Sequence, residues 1–288
     1  MRYAPIVQFA SIQDQEAWLA RLRGADGFDR AVVLLRAMGG LAEEEIRRTS
    51  RLSAIEHPHV LRVIELVRAD GALVLALEAP VALSVPALVR SVVEAGGRLP
   101  WTHAARIAAD LARAAAALRR ALGAGGVAGP GLIDSSLVTE HGFGVVGAAP
   151  RGSEAEDLRS IATWLVATVG HDDPSAPAAL RDTIVRAQAE ASQRRMTLGT
   201  LADGLDAIAA SRGATHAELA RFLAAEVPDV LERARVARDA PPPGLSPPRR
   251  LSTLAQALDR LGGVVWGEDT VTQPFSEATV IDPPRSRP

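Results

Sequence analysis

The sequence predicts an α+β protein in two parts, and three observations carry that reading. Short apolar runs separated by turns occupy residues 3–77, as in a small antiparallel sheet. An Ala-rich stretch at 101–122 has strong intrinsic helix propensity, and further helical patterns follow it to residue 227. Between them, residues 127–150 read VAGPGLIDSSLVTEHGFGVVGAAP, two apolar runs around the tight turn Glu140-His141-Gly142. That is the signature of a lone β-hairpin set among helices.

Taken in order, residues 3–10, 17–20 and 31–35 are expected as strands, with Gly24-Ala25-Asp26-Gly27 as the turn between the last two. Residues 43–55 are expected as a helix whose apolar face is weak. His57-Pro58-His59-Val60 stops it, with His57 read as the cap of the turn rather than as a ligand. Strands follow at 61–66 and 72–77 around Ala69-Asp70-Gly71, then a break at Glu78-Ala79-Pro80 and a short helix at 83–93. In the 101–122 helix, Ile107, Leu111, Ala114, Ala115 and Leu118 share one face and are expected in the core. Helices at 177–191, 197–210 and 215–227 complete the part, with Thr197 and Thr215 as N-caps and Glu218 closing a capping box on Thr215.

Composition sets the outer limits. The chain has 288 residues, 48% hydrophobic and 23% charged, which is the balance of a globular protein with ample core. A net charge of -2 gives no strong pull toward nucleic acid or a membrane surface, and neither is expected as a partner. No apolar run is long enough to span a bilayer, and the N-terminus lacks a signal-peptide pattern. There is no cysteine, so disulfides and thiolate metal sites are excluded, and a cytoplasmic location is expected. The basic residues are all Arg; there is no Lys and no Asn anywhere in the chain.

Several stretches resemble one family in order. Residues 16–44, EAWLARLRGADGFDRAVVLLRAMGGLAEE, resemble the front of bacterial Ser/Thr protein kinases, those of myxobacteria above all. HPHV at 57–60 resembles the kinase His-Pro-Asn-Ile/Val motif, and DLRSIA at 157–162 the start of the central helix of the kinase C-lobe. GATHAELARFLAAEVPDVLERAR at 213–235 is similar to the end of such domains. The resemblance covers roughly residues 1–235 and implies a bilobal protein-kinase-like fold, with a small β-rich N-lobe, a helical C-lobe, a truncated activation segment and an extended C-terminal tail. The implied divisions are an N-lobe at 1–78, a C-lobe at 79–238, a Pro-rich linker at 239–251, a short amphipathic helix at 252–261 and a disordered tail at 262–288.

Laid on that pattern, the phosphoryl-transfer positions are degenerate. Leu35 stands at the nucleotide-binding Lys and Arg48 at the helix Glu that should pair with it, with Glu45 about one turn away. Pro130 stands at the catalytic Asp, Ser135 at the metal-binding Asn and Ala148 at the metal-binding Asp. The loop before Trp18 has no glycine to let backbone approach phosphate. Asp157 keeps the position of the family's buried structural Asp, which holds the catalytic-loop backbone. The chain runs almost directly from Ala148 to Asp157, where the family carries its substrate-docking segment.

The resemblance therefore implies a catalytically inactive pseudokinase. No catalytic, cofactor-binding or metal-binding residue is expected, nor ATP or Mg²⁺ as a cofactor. Its role would be a scaffold or regulatory partner of an active Ser/Thr kinase. In the tail, Thr270 and Thr272 lie in EDTVTQPF, an acceptor-like context for such kinases. Thr279 is followed three residues later by Asp282, the spacing read by forkhead-associated, phosphothreonine-binding domains. Two alternatives stay open at this stage. One is a diverged ATP-dependent phosphotransferase, for which Asp134 is the acid nearest the degenerate loop and His141 lies at the hairpin turn. The other is a purely structural subunit on a kinase frame.

Overall fold

In the computed structural model, residues 3–12, 15–24, 27–37, 50–69, 72–123, 132–133, 136–146, 153–170, 173–190, 196–239 and 279–280 are described. They belong to two compact units. The first comprises 1–46, 63–79 and 232–288, and the second 47–62 and 80–231. The chain crosses between them at 46/47, 62/63, 79/80 and 231/232.

The first unit is built on an antiparallel sheet. Strands β1 (Tyr3–Ile12), β2 (Gln15–Gly24) and β3 (Gly27–Ala37) form a meander, each longer than its apolar run because pairing extends through the polar flanks. β4 (Val63–Ala69) and β5 (Ala72–Glu78) form a hairpin whose register sets Ala69 against Ala72. The order is β1-β2-β3-β5-β4-β9. Ala20, Leu22, Val32, Leu34, Val74 and Ala76 form its buried cluster, with Ile64 packed against them. Alternate residues of each strand supply that face, as the pleat requires. The last strand, β9 (Thr279–Val280), pairs antiparallel with β4 through Val67 and Arg68 and so covers part of its edge. Sequence patterning assigns this tail no strand; two paired residues are too few to leave a periodic signal. The linker and the 252–261 helix lie outside the described residues.

In the second unit, Ser50 and Arg51 are helical and a 3-10 turn follows at Leu52–Ala54. The His57 ring then accepts a hydrogen bond from the backbone N–H of His59, at 3.3 Å from Nδ1, which closes the turn as a cap. A short strand β6 (Ala82–Ser84) leads into α1 (Val85–Glu94), where the Ser84 hydroxyl accepts from Ala87 N–H. α2 (Trp101–Leu122) spans the range expected from its propensity. Its predicted stripe of Ile107, Leu111, Ala114, Ala115 and Leu118 is fully buried.

The hairpin forms as β7 (Ser136–Thr139) and β8 (Gly144–Val146), and β6 adds to it in the order β6-β7-β8. Then come α3 (Glu154–Val169), α4 (Ala178–Glu190), α5 (Leu198–Ala210), α6 (His216–Glu226) and α7 (Pro228–Asp239). Thr197 and Thr215 cap α5 and α6 as expected, accepting from Thr200 and Glu218 N–H at 3.1 and 3.2 Å. Glu218 does not close the box at α6, because its carboxylate pairs with Arg221 one turn on. The reciprocal box forms instead at α3, between Ser153 and Glu156.

Gly142 fixes how the hairpin meets α6. Its φ is +78°, and a Cβ there would collide with the His216 carbonyl oxygen and stand 2.9 Å from Ala220 N. Both the left-handed backbone and the close approach demand glycine. Gly142→Ala should therefore lower unfolding stability by ~2 kcal/mol or more, combining the left-handed penalty with overpacking. A urea midpoint equal to that of the parent chain would contradict this contact.

Candidate functional site

The β7–β8 hairpin rests on a buried carboxylate of α2. Asp110 lies in the middle of α2 and is 0% exposed. A charge in that position must be met by donors. Gly144 N–H of β8 donates to Asp110 Oδ2 at 3.0 Å. His216, the first residue of α6, sets Nε2 at 3.1 and 3.2 Å from the two carboxylate oxygens. The Phe143 ring stacks on His216, with centroids 4.1 Å apart and planes 19° from parallel.

His59 completes the group. Its Nδ1 lies 3.0 Å from Gly144 O, so Nδ1 carries the proton and donates to that carbonyl. Its Nε2 faces Asp110 Oδ1 at 3.5 Å. The segment carrying it is bound to β8 by backbone, Val146 N–H to His59 O at 2.9 Å and Leu61 N–H to Val146 O at 3.0 Å. Gly144 permits the convergence, because a Cβ there would stand 3.0 Å from Asp110 Cβ and 3.3 Å from Ile107 O. Burial pulls the His59 imidazole below its ordinary pKa, against the opposing pull of Asp110 and the Gly144 carbonyl.

Two further clusters fix α2. Arg106 is buried and donates to Ala214 O from Nε and Nη2, at 3.1 and 2.8 Å, while Nη1 pairs with Asp206 of α5. Arg113 reaches the same carboxylate at 2.7 Å. Burial pushes Asp206 up, but the hydrogen bonds and charges of Arg113 and Arg106 outweigh it and hold the carboxyl below its usual range. Near the other end of α2, Arg119 Nε donates to Asp157 Oδ2 of α3 at 2.6 Å.

The sequence-selected residues fall as follows. Leu35 lies in β3, its backbone in register with Ala17 and Leu75. Arg48, Glu45, Pro130, Asp134, Ser135, Ala148, Thr270 and Thr272 lie outside the described residues. Thr279 stands opposite Arg68 in the β9–β4 pair. His141 is exposed at the hairpin turn. Asp157 is buried, and its partner among the described residues is the Arg119 side chain rather than loop backbone; residues 124–131 lie outside the described set. Sequence reasoning missed His59, Asp110 and His216. The available signal was an acid at helical spacing from Ile107 and Ala114, within the stripe expected in the core.

With this geometry in place, comparison with solved structures identifies the architecture. The fold is that of a protein kinase domain. A crystal structure of the Mycobacterium tuberculosis PknI kinase domain matches with a TM-score of 0.54 at 15% identity, covering 72% of this chain and 96% of that one. Another of the same domain matches with a TM-score of 0.52 at 17% identity, covering 73% and 96%. No family model matches the sequence, and no curated protein does. The kinase-like, bilobal α+β fold is thus established by structure at low sequence identity. Among the described residues, no helix is long and apolar enough to cross a membrane.

Asp157 supplies a pH test of the α2–α3 contact. Burial pushes its carboxyl up to about 6 from 3.8, with the Arg119 charge and hydrogen bond opposing. Between those values the folded chain keeps a proton that the unfolded chain releases. Asp157's contribution to stability therefore falls as pH rises through that window and is constant above it. Relative to Asp157→Asn, the wild type should lose about 2 kcal/mol of unfolding free energy between pH 4 and pH 7. Urea titrations at both pH values measure the difference, and a pH-independent offset would rule out the raised carboxyl.

Proposed function

We propose that this chain is a pseudokinase, a kinase-like domain that binds partners and does not transfer phosphate. One observation carries the reading: a chain with a protein-kinase-like fold contains no Lys and no Asn at any position. Kinase phosphoryl transfer sets a Lys on the nucleotide phosphates and an Asn on a metal ion, and the chain has neither to offer, however it is aligned. Leu35, Arg48, Pro130, Ser135 and Ala148 at the expected positions, and the short passage from Val146 to Glu154, agree with that. ATP and Mg²⁺ are not its cofactors in this reading.

The partners it fits are an active Ser/Thr kinase, which modifies the tail at Thr270, Thr272 or Thr279, and a forkhead-associated domain that reads the product. Nucleic acid and membrane surfaces are not among them. Thr279 pairs with the edge of β4, so phosphorylation there competes with that pairing and couples the tail to the sheet.

Millimolar ATP with Mg²⁺ should leave the thermal midpoint unchanged relative to the apo chain. Mg²⁺-dependent transfer of the γ-phosphate by the purified protein would sink the pseudokinase reading. Incubation with an active bacterial Ser/Thr kinase should place phosphate on the tail threonines, mapped by mass spectrometry. A tail left unmodified by such kinases would remove the recruitment half of the proposal.

A further inference from the structure

We infer that His59, Asp110 and His216 form a binding site for a divalent first-row transition cation of the zinc type, which ties α2, α6 and the 59–61 segment to the hairpin. It stands apart from the pseudokinase reading, because it uses none of the degenerate phosphoryl-transfer positions.

The first argument is a count of donors. A neutral imidazole has one donor and one acceptor. His59 uses its donor on Gly144 O, which turns the lone pair of Nε2 toward Asp110 Oδ1 at 3.5 Å. Both residues are buried, at 5% and 0% exposure, so two electron-rich atoms face each other away from solvent. A cation between them resolves that conflict.

The second argument is geometric. One ligand atom from each of His59, Asp110 and His216 lies within 4.8 Å of the others. To the same oxygen, Asp110 Oδ1, the distances are 3.5 Å from His59 Nε2 and 3.2 Å from His216 Nε2, which bracket the ~3.3 Å expected between ligands of a tetrahedral ion with bonds of ~2.0–2.1 Å. The supporting hydrogen bonds are also those of a metal site. Gly144 accepts from His59 Nδ1 and donates to Asp110 Oδ2, orienting two ligands from a single residue.

Ligand chemistry selects the ion. Two imidazoles and one carboxylate suit zinc and its first-row neighbours better than Mg²⁺ or Ca²⁺, which prefer all-oxygen shells. His216 is only partly buried, which leaves a route for the ion and a fourth position for water. A metal on Nε2 needs the neutral ring with its proton on Nδ1, so binding moves the His216 proton from Nε2 to Nδ1 and leaves the imidazole uncharged. The Arg113 charge felt by His59 is offset by its pairing with Asp206. The sequence gives no metal-ligand spacing because the three residues come from distant segments.

The test uses the full, untagged chain stripped with chelator and titrated with Co²⁺ as a visible probe. One equivalent should bind and give the d–d absorption of a low-coordinate nitrogen and oxygen site, and Zn²⁺ should displace it. Zn²⁺ should also raise the thermal midpoint. His216→Gln keeps an N–H donor for Asp110 but is a poor ligand, so it should fold, weaken Co²⁺ binding at least tenfold and abolish the Zn²⁺-dependent rise. His141→Ala, at the exposed turn, should bind as the parent does. Absence of a stoichiometric Co²⁺ spectrum at tens of micromolar, or a spectrum and Zn²⁺ stabilisation unchanged in His216→Gln, would overturn the assignment.

Discussion

The buried carboxylate of Asp110 sets the terms for the helical unit. An ionised group without solvent costs several kcal/mol unless donors surround it. Within α2 the backbone N–H groups serve the helix itself, and Arg106 and Arg113 are engaged by Ala214 and Asp206. The donors come from β8 and α6, and that requirement fixes what those elements can be. Gly144 must lack a side chain so that its N–H reaches the carboxylate. α6 must begin at His216, and the hairpin turn must pass beneath it at Gly142. His59 then follows from the backbone pairing of its segment with β8. A hairpin of three-residue and four-residue strands is marginal by itself, and these contacts give it a support.

The same helix is held along its length by arginine. Arg106, Arg113 and Arg119 reach Asp206, Ala214 and Asp157 on α3, α5 and the turn before α6. A chain without Lys makes its ion pairs with planar, multi-donor forks, and Arg106 shows the consequence. It satisfies a backbone carbonyl with two nitrogens and a carboxylate with a third. An ammonium could hold one such direction well but not this spread. The all-Arg composition of the basic residues therefore supplies the fasteners of the helical frame.

What was legible in the sequence was local. The α2 limits followed from Ala-rich propensity, the hairpin from two apolar runs around Glu140-His141-Gly142, and the α5 and α6 starts from Thr197 and Thr215. His57 as a turn cap was readable because its partner is two residues away. The rest depends on partners far along the chain. Asp110 looked like one polar residue in a helical stripe, and only packing against Gly144 and His216 shows its burial. β6 gains strand character from pairing with β7, and β9 from pairing with β4, neither of which leaves a periodic mark in three or two residues. The capping box expected at Glu218 does not close, its carboxylate pairing with Arg221, and the box at Ser153 and Glu156 went unread.

A domain that binds nucleotide gains stability from its ligand in proportion to the logarithm of ligand concentration over affinity. On the pseudokinase reading that source is absent, and the hairpin must be held by contacts that persist in the free chain. The Asp110 cluster has that character, since its donors are backbone and imidazole groups already in place. Its one unresolved feature is the His59 lone pair turned toward a carboxylate oxygen. A proton would relieve it, but burial of the imidazole opposes the charge. A metal ion relieves it without protonating the ring, while His216 carries its one proton on Nδ1 and turns the Nε2 lone pair to the ion. The frame would then trade dependence on a nucleotide for dependence on an ion.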